Sequence, residues 1–174
     1  LFVDHFPMPT LSSLQVPPPK TWQEFETLCC DLWRSIWKDP NAQKNGRQGQ
    51  AQHGVDVFGH PSQQSQWAGV QCNGKDGYTD KAVTKEELKA EAAKAKSFTP
   101  ALSHYTLATT GPRDAKIQKV AREISDGFRQ AGLFAVDVWS WEDIVEALDQ
   151  HPEVVAKHYP QFALTATVHT GLDQ

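Results

Sequence analysis

Two short strand-like runs joined by a polar turn carry the residues whose types indicate chemistry. The stretch 54–73 reads GVDVFG, then HPSQQSQ, then WAGVQCN. Its β-branched and aromatic residues predict a β-hairpin, with Asp56 on the first strand and Gln71 on the second. A carboxylate in an otherwise apolar strand is costly to bury unless it is paired. Two oxygen-bearing side chains facing each other across a hairpin therefore indicate a site for a hard cation such as Mg²⁺.

This motif resembles that of the PD-(D/E)xK nuclease superfamily, specifically its Mrr-like restriction-endonuclease branch. The branch has Gly-(Val/Ile)-Asp on one strand and Gln-x-Lys on the next, and this chain has GVD at 54–56 and QCN at 71–73. Asp56 and Gln71 match the family pattern. Asn73 departs from it, because the family has a lysine at that position.

The resemblance implies hydrolysis of phosphodiester bonds in double-stranded DNA, with Mg²⁺ or Mn²⁺ as the cofactor. It makes Asp56 the bridging metal ligand, with further oxygens from the Gln71 amide and the backbone carbonyl of Cys72. The branch also has a Phe-Glu pair on its first helix that supplies an acidic group near the metal, and Phe25-Glu26 matches that pair, so the resemblance makes the Glu26 carboxylate a further metal ligand. The competing interpretation of Glu26 is a solvated carboxylate on the flank of the helix.

Asn73 limits how far the family's activity carries over. The family lysine orients the attacking water and stabilises charge on the phosphate, and a neutral, shorter side chain cannot do so. Three explanations are open: a replacement that inactivates this chain, a natural inactive nuclease fold kept for binding, or transfer of the lysine's role to Lys75. We favour the first, because the rest of the motif is intact, and expect the chain as written to be inactive or nearly so. The alternative function is a non-catalytic nucleic-acid-binding or assembly module.

Two segments are predicted to contact DNA. The polar segment 44–53 has alternating glutamines that share one face if the segment is extended. A helix that begins after Thr84 carries lysines at helical spacing. A flexible loop and a solvated helix are the competing interpretations. The predicted DNA-contacting residues are Lys44, Arg47, Gln50, Gln52, Lys75, Lys85 and Lys89.

The remaining pattern predicts an α/β fold, a restriction-endonuclease-like mixed β-sheet flanked by helices. The order is helix, strands, helix, strand, helix, strand, helix, and most tryptophans, including Trp22, are expected in the core. The chain divides into a loosely packed, proline-rich arm (1–20), a nuclease-like domain (21–160) and a C-terminal tail or linker (161–174). Predicted elements after the hairpin are helices at 84–97, 114–131, 141–149 and 152–159, and strands at 104–110 and 134–139; the first helix covers 21–37.

Composition sets the remaining expectations. The formal net charge of −4 argues mildly against a nucleic-acid binder as a whole, although it allows a local basic patch. The three cysteines form no CxxC pair, which indicates reduced thiols and a cytoplasmic protein. No run is long enough for a membrane span. Because the chain opens on Leu1, it is expected to be a piece of a longer protein. The resemblance implies the effector part of a larger bacterial anti-phage or restriction protein, with further domains as partners.

Overall fold

Five strands form one mixed sheet whose spatial order follows the order of the chain. The computed structural model describes residues 10–74 and 81–163. The strands are β1 (Gln43–Lys44), β2 (Val57–Gly59), β3 (Trp67–Asn73), β4 (Leu102–Thr109) and β5 (Ala135–Trp139), and the helices are α1 (Trp22–Ile36), α2 (Lys85–Ala95), α3 (Ala115–Gln130), α4 (Trp141–Leu148) and α5 (Pro152–His158). Strands β1 to β3 pair antiparallel, and β4 and β5 continue the sheet in parallel. The predicted α/β fold, a mixed sheet flanked by helices, is confirmed.

Side-chain caps fix the helix starts where the sequence predicted them. Thr21 and Thr84 each accept a hydrogen bond from the backbone N–H three residues on. Ser140 forms a complete capping box with Asp143 at the start of α4. Each such cap contributes about 1 kcal/mol by satisfying a backbone donor that the helix leaves unpaired. Among the described helices, none combines the length and the apolar character that crossing a bilayer requires.

Alternation along β3 sends its side chains into two separate layers. Ala68 and Val70 are buried in the core beneath α1, α4 and α5. Trp67 packs against the second core, formed with α2 and α3, which also contains Val55 and Tyr105. Because successive residues of a strand point to opposite faces, odd-numbered positions of β3 lie on the α2 side.

Residues 10–20 are bound to the C-terminal helices. The hydroxyl of Tyr159 donates to the carbonyl of Pro17 at 2.8 Å, and the indole N–H of Trp141 donates to the carbonyl of Val16 at 2.9 Å. Val16 itself is buried. The prediction of a loosely packed arm is therefore wrong for residues 10–20. Residues 1–9 of that arm, and residues 164–174 of the predicted tail, lie outside the described residues.

The tryptophans of α1 do not all enter the core. Trp33 and Trp37 are buried as predicted, whereas Trp22 is 40% exposed. The prediction of a core position was wrong for Trp22 because it occupies the first position of α1, beyond the edge of the sheet that α1 covers.

Candidate functional site

The predicted hairpin is present and brings Asp56 and Gln71 to the same cavity. In the β2–β3 pair Val57 lies opposite Val70, and the N–H of Asp56 donates to the carbonyl of Val70 at 2.8 Å. Asp56 precedes the paired residues of β2, and this hydrogen bond leaves the regular register, in which its partner would be Gln71. Gln71 lies on the α2 side of the sheet, and both side chains line one cavity.

The glycine before Asp56 has a steric reason. Gly54 has a φ of +70°, and a Cβ there would lie 2.8 Å from Cβ of Lys94 and 2.9 Å from the carbonyl oxygen of Glu91. Only glycine combines that backbone conformation with so close an approach to α2. The contact brings Glu91, which the sequence analysis did not single out, to the same place as Asp56.

A cavity of about 670 Å³ opens over this face, with acidic and amide side chains in its wall. Asp56, which is 6% exposed, is the most deeply placed of them. Gln71, Glu26 and Glu91 are half-buried and line the same cavity. The structure therefore brings together Asp56, Gln71 and Glu26 as the sequence predicted, and adds Glu91 from α2.

The Asp56 carboxylate carries charge that the protein only partly compensates. Its Oδ2 accepts a hydrogen bond from the N–H of Cys72 at 2.8 Å. Burial raises the pKa of Asp56 to about 6, and the negative charges of Glu26 and Glu91 add to this rise against the opposing effect of the Cys72 N–H. The ionised form of Asp56 is therefore costly in the protein alone.

Asp39 shows what a buried carboxylate looks like when the backbone satisfies it. It is 2% exposed, but Oδ1 accepts from the N–H of Asn41 at 3.0 Å and Oδ2 accepts from the N–H of His60 at 2.7 Å. The described residues offer Asp56 one such donor. The comparison indicates that Asp56, unlike Asp39, is placed to meet something from outside the chain.

Gln71 adds a second oxygen without a partner. Its Oε1 is buried, and no hydrogen bond reaches it from the described residues; the same holds for the hydroxyl of Tyr105. Tyr105 pairs with Gly69 across the β3–β4 ladder, one step along from Gln71 on the same face. Since buried polar atoms are rarely left unpaired, an acceptor oxygen beside a carboxylate fits a hard cation.

Glu26 lies in the cavity rather than on a solvated flank. Burial raises the pKa of its carboxyl, and the positive charge of Lys44 opposes that rise. Within the described residues, however, no three His, Cys, Asp or Glu side chains converge closely enough to hold a metal by themselves. Glu26 and Glu91 thus surround Asp56 and Gln71 without completing a direct ligand set.

Cys72 can offer the site only its backbone. A hydrogen bond with the Cys29 thiol, together with burial, raises the pKa of the Cys72 thiol. Its side chain packs against the core beneath α1, on the opposite face from Gln71. The expected role of the Cys72 backbone carbonyl as a metal ligand stays a prediction.

The side chain at position 73 is hydrogen-bonded to α2. The side-chain amide of Asn73 donates through Nδ2 to Oε2 of Glu87 at 3.1 Å, and Asn73 lines the cavity on the side of Gln71. Lys75, the predicted substitute for the missing lysine, lies outside the described residues.

The polar segment after β1 folds into turns instead of an extended strand. Gly46 and Gly49 have φ values of +62° and +89°, and the N–H of Gln50 donates to the carbonyl of Arg47 at 3.1 Å, which closes a turn. An extended segment was the condition for the alternating glutamines to share one face, and this condition is not met. Gln50 folds back so that its Oε1 accepts from the N–H of Arg47 at 3.0 Å.

These turns nevertheless form the rim of the cavity. The cavity is lined by three of the residues predicted to contact DNA, Lys44, Arg47 and Gln52, and also by Gln48. Gln50 does not line it, since its side chain closes the turn. Lys44 and Arg47 are exposed, so two cations stand at the entrance above the acidic wall.

The lysines predicted on α2 do not reach this cavity. Lys85 and Lys89 are exposed and absent from its lining, and Lys96, at the same helical spacing, lies 4.7 Å from the ring centre of Phe128. The α2 side chain that lines the cavity is Glu91. The sequence held a signal for it, because Glu91 flanks the apolar face of α2 as Glu26 flanks that of α1.

Comparisons with known proteins add one solved structure. No protein-family model and no curated protein matches the sequence. The chain is similar in fold to the MspJI restriction endonuclease, solved in complex with a 27-mer oligonucleotide, with a TM-score of 0.46 and 16% identity over 87% of this chain. The chain spans 32% of the length of that protein.

Proposed function

We propose that this chain is a metal-dependent nuclease domain that hydrolyses phosphodiester bonds in DNA, and that Asn73 leaves it with little or no activity. The observation that supports this most is the buried Oε1 of Gln71, which accepts no hydrogen bond from the described residues and lies in a cavity, open to solvent, that the Asp56 carboxylate also lines.

The oxygens of Asp56 and Gln71 fit Mg²⁺ or Mn²⁺. Such an ion would supply Lewis-acid activation of water and neutralise charge on the phosphate. Asp56 and Gln71 would hold the ion, and the N–H of Cys72 fixes the orientation of the Asp56 carboxylate. Because Mg²⁺ usually keeps several waters, Glu26 and Glu91 would act on the site by accepting hydrogen bonds from water in the cavity.

The rim supplies the contacts to the substrate backbone. Lys44 and Arg47 stand at the entrance, and cationic side chains there suit the phosphates that flank the scissile bond. Lys44 is oriented by its hydrogen bond to the hydroxyl of Thr27 at 2.7 Å. Arg47 makes no ion pair with the described residues, so its guanidinium is available for a phosphate.

The described residues place no cation at position 73, where the family has its lysine. Asn73 occupies the position next to Gln71 on the same face, and its amide is neutral. The absence of one preorganised charge-stabilising group typically costs about 10²–10³ in rate. We expect Asn73→Lys to restore roughly that factor.

The test is cleavage of supercoiled plasmid by the Asn73→Lys protein with Mg²⁺ or Mn²⁺, against EDTA. Asn73→Gln is the matched control, because it changes the side chain without adding charge. Asp56→Ala on top of Asn73→Lys should abolish cleavage. Because an effector domain can be silent alone, the assay includes the assembled or activated full-length protein.

The second candidate is a non-catalytic nucleic-acid-binding or assembly module with the same fold. The hydrogen bond from Asn73 to Glu87 favours it, since it gives the neutral residue a structural place of its own. If the Asn73→Lys protein binds DNA and metal yet never cuts, the binding module replaces the nuclease. In either case we place the chain within a larger bacterial defence or restriction protein.

A further inference from the structure

The entrance of the cavity holds an aromatic side chain that phosphodiester hydrolysis does not require. Trp22 is 40% exposed, one of three large apolar side chains exposed to that degree among the described residues. It lines the cavity at the first position of α1. A tryptophan that is exposed to this degree forfeits part of the apolar burial that its ring offers. Its place at this entrance calls for another explanation.

Trp22 lies beside the end of β3, next to the proposed reaction centre. A Cβ on Gly74 would be 3.4 Å from Cβ of Trp22, which shows how closely the two backbones approach. Gly74 directly follows Asn73, the position opposite the attacked phosphate in the proposed function. Trp22 therefore begins α1 next to the residue that follows Asn73, at the same cavity.

The surroundings of Trp22 have the chemistry of a nucleotide contact. The cavity is lined by the buried Asp56 and by exposed residues that include Trp22, Gln23, Arg47 and Gln48. Aromatic rings stack on bases, amides hydrogen-bond to base edges and cations bind phosphates. Gln23 follows Trp22 in the first turn of α1 and is exposed.

We propose that Trp22 stacks on an unpaired nucleobase adjacent to the bound phosphate, so that this chain prefers DNA with unpaired bases over fully paired duplex. This rests on the proposed function, since that function places the phosphate at Asp56 and Gln71. A base inside a duplex has both faces covered by its neighbours. Only a frayed, extruded or single-stranded base can present a face to Trp22.

The experiment measures binding of two DNA probes to the full chain in Mg²⁺. One probe is a duplex with a 2-aminopurine in a short unpaired stretch, and the other carries the same 2-aminopurine fully paired. The variants are Trp22→Ala, Trp22→Phe and Arg47→Ala. Leu133→Ala is the matched control, because Leu133 is 39% exposed and lies outside the cavity lining. Circular dichroism verifies that each variant is folded.

The stacking of one base on an aromatic side chain contributes enough binding free energy for about a tenfold preference for the unpaired probe. Trp22→Ala should remove that preference, and Trp22→Phe should keep most of it. The wild-type chain should quench the fluorescence of the unpaired 2-aminopurine, and Leu133→Ala should quench it to the same extent. Arg47→Ala should weaken the binding of both probes to the same extent.

Two results overturn the proposal and are distinguishable. Stacking is refuted if the wild-type chain binds both probes with equal affinity, Trp22→Ala leaves that affinity unchanged and Arg47→Ala reduces it. This result leaves the proposed nuclease function intact. Binding of neither probe contradicts the proposed function and the stacking together. A change in self-association with Trp22→Ala, without any change in probe preference, assigns the ring to a protein contact and also refutes stacking.

Discussion

Replacing the central carboxylate should stabilise the metal-free protein, against the usual direction for a buried mutation. Asn at position 56 keeps the size of the side chain, and its carbonyl can still accept the N–H of Cys72. It removes the negative charge that burial and the neighbouring glutamates make unfavourable. We therefore expect Asp56→Asn to raise the free energy of unfolding in EDTA.

The magnitude follows from the pKa of Asp56, which is about 6 in the folded chain against an ordinary 3.8. At 1.36 kcal/mol per pH unit this difference corresponds to about 3 kcal/mol when the carboxyl is ionised in both states. The native state holds the proton more tightly, so wild-type stability falls as the pH rises from about 4 through about 6. The advantage of Asp56→Asn should be about 3 kcal/mol near pH 8 and about 1 kcal/mol near pH 4.5.

The assay is urea unfolding in EDTA at both pH values, followed by tryptophan fluorescence. Asp39→Asn is the control, because both oxygens of Asp39 accept backbone N–H groups. An asparagine there has one acceptor oxygen instead of two, so Asp39→Asn should lower the free energy of unfolding by about 1–3 kcal/mol. Added Mg²⁺ should stabilise the wild-type chain and leave Asp56→Asn unchanged. If Asp56→Asn is destabilised, or gains equally at both pH values, the account of Asp56 as an uncompensated carboxylate is wrong.

Two further predictions test the environment of Asp56. Gly54→Ala should destabilise the chain by more than about 1 kcal/mol, since its Cβ would meet α2 at 2.8 Å. Gly49→Ala, with a similar positive φ but nothing within 4 Å, should cost less in the same unfolding assay; equal losses would mean that the contact with α2 has no role. Glu91→Gln should weaken Mn²⁺ binding by about tenfold in calorimetric titration, as expected for a group that acts through bound water. Glu86→Gln, on the exposed face of α2, should leave that affinity unaltered, and identical affinities for both variants would remove Glu91 from the site.

The helices and the hairpin were predicted well because the sequence signals for them involve residues close together in the chain. Helix starts were readable from Thr21, Thr84 and Ser140, whose side chains cap backbone donors within three residues. The β2–β3 hairpin was readable because alternation and turn composition act within one short stretch. That hairpin alone predicted that Asp56 and Gln71 come together at one site.

The errors concern residues whose environment is set by distant parts of the chain. Trp22 fits the helical period of the core face, but the sheet ends before it, and only the packed structure shows where. The arm docks through Tyr159 and Trp141, more than a hundred residues away in the chain. Glu91 reaches Asp56 because Gly54 admits α2, which depends on a packing distance that no single-sequence pattern records.

The agreement between strand order and chain order bears on how quickly the chain can fold. The widest strand pairings, those of Ala68–Asn73 with His104–Thr109, join positions 36 residues apart, and the hairpin pairing of Val57 with Val70 joins positions much nearer. Pairings of short sequence separation have a low entropic cost of loop closure, so the sheet can assemble by adding neighbours in succession. The contacts of the arm and of α1 with α4 and α5 have far greater separations, from 118 to 142 residues, so we expect their closure in the last stage of folding. The groups around Asp56 all come from residues 22–91, so the cavity wall can form before the two ends of the domain meet.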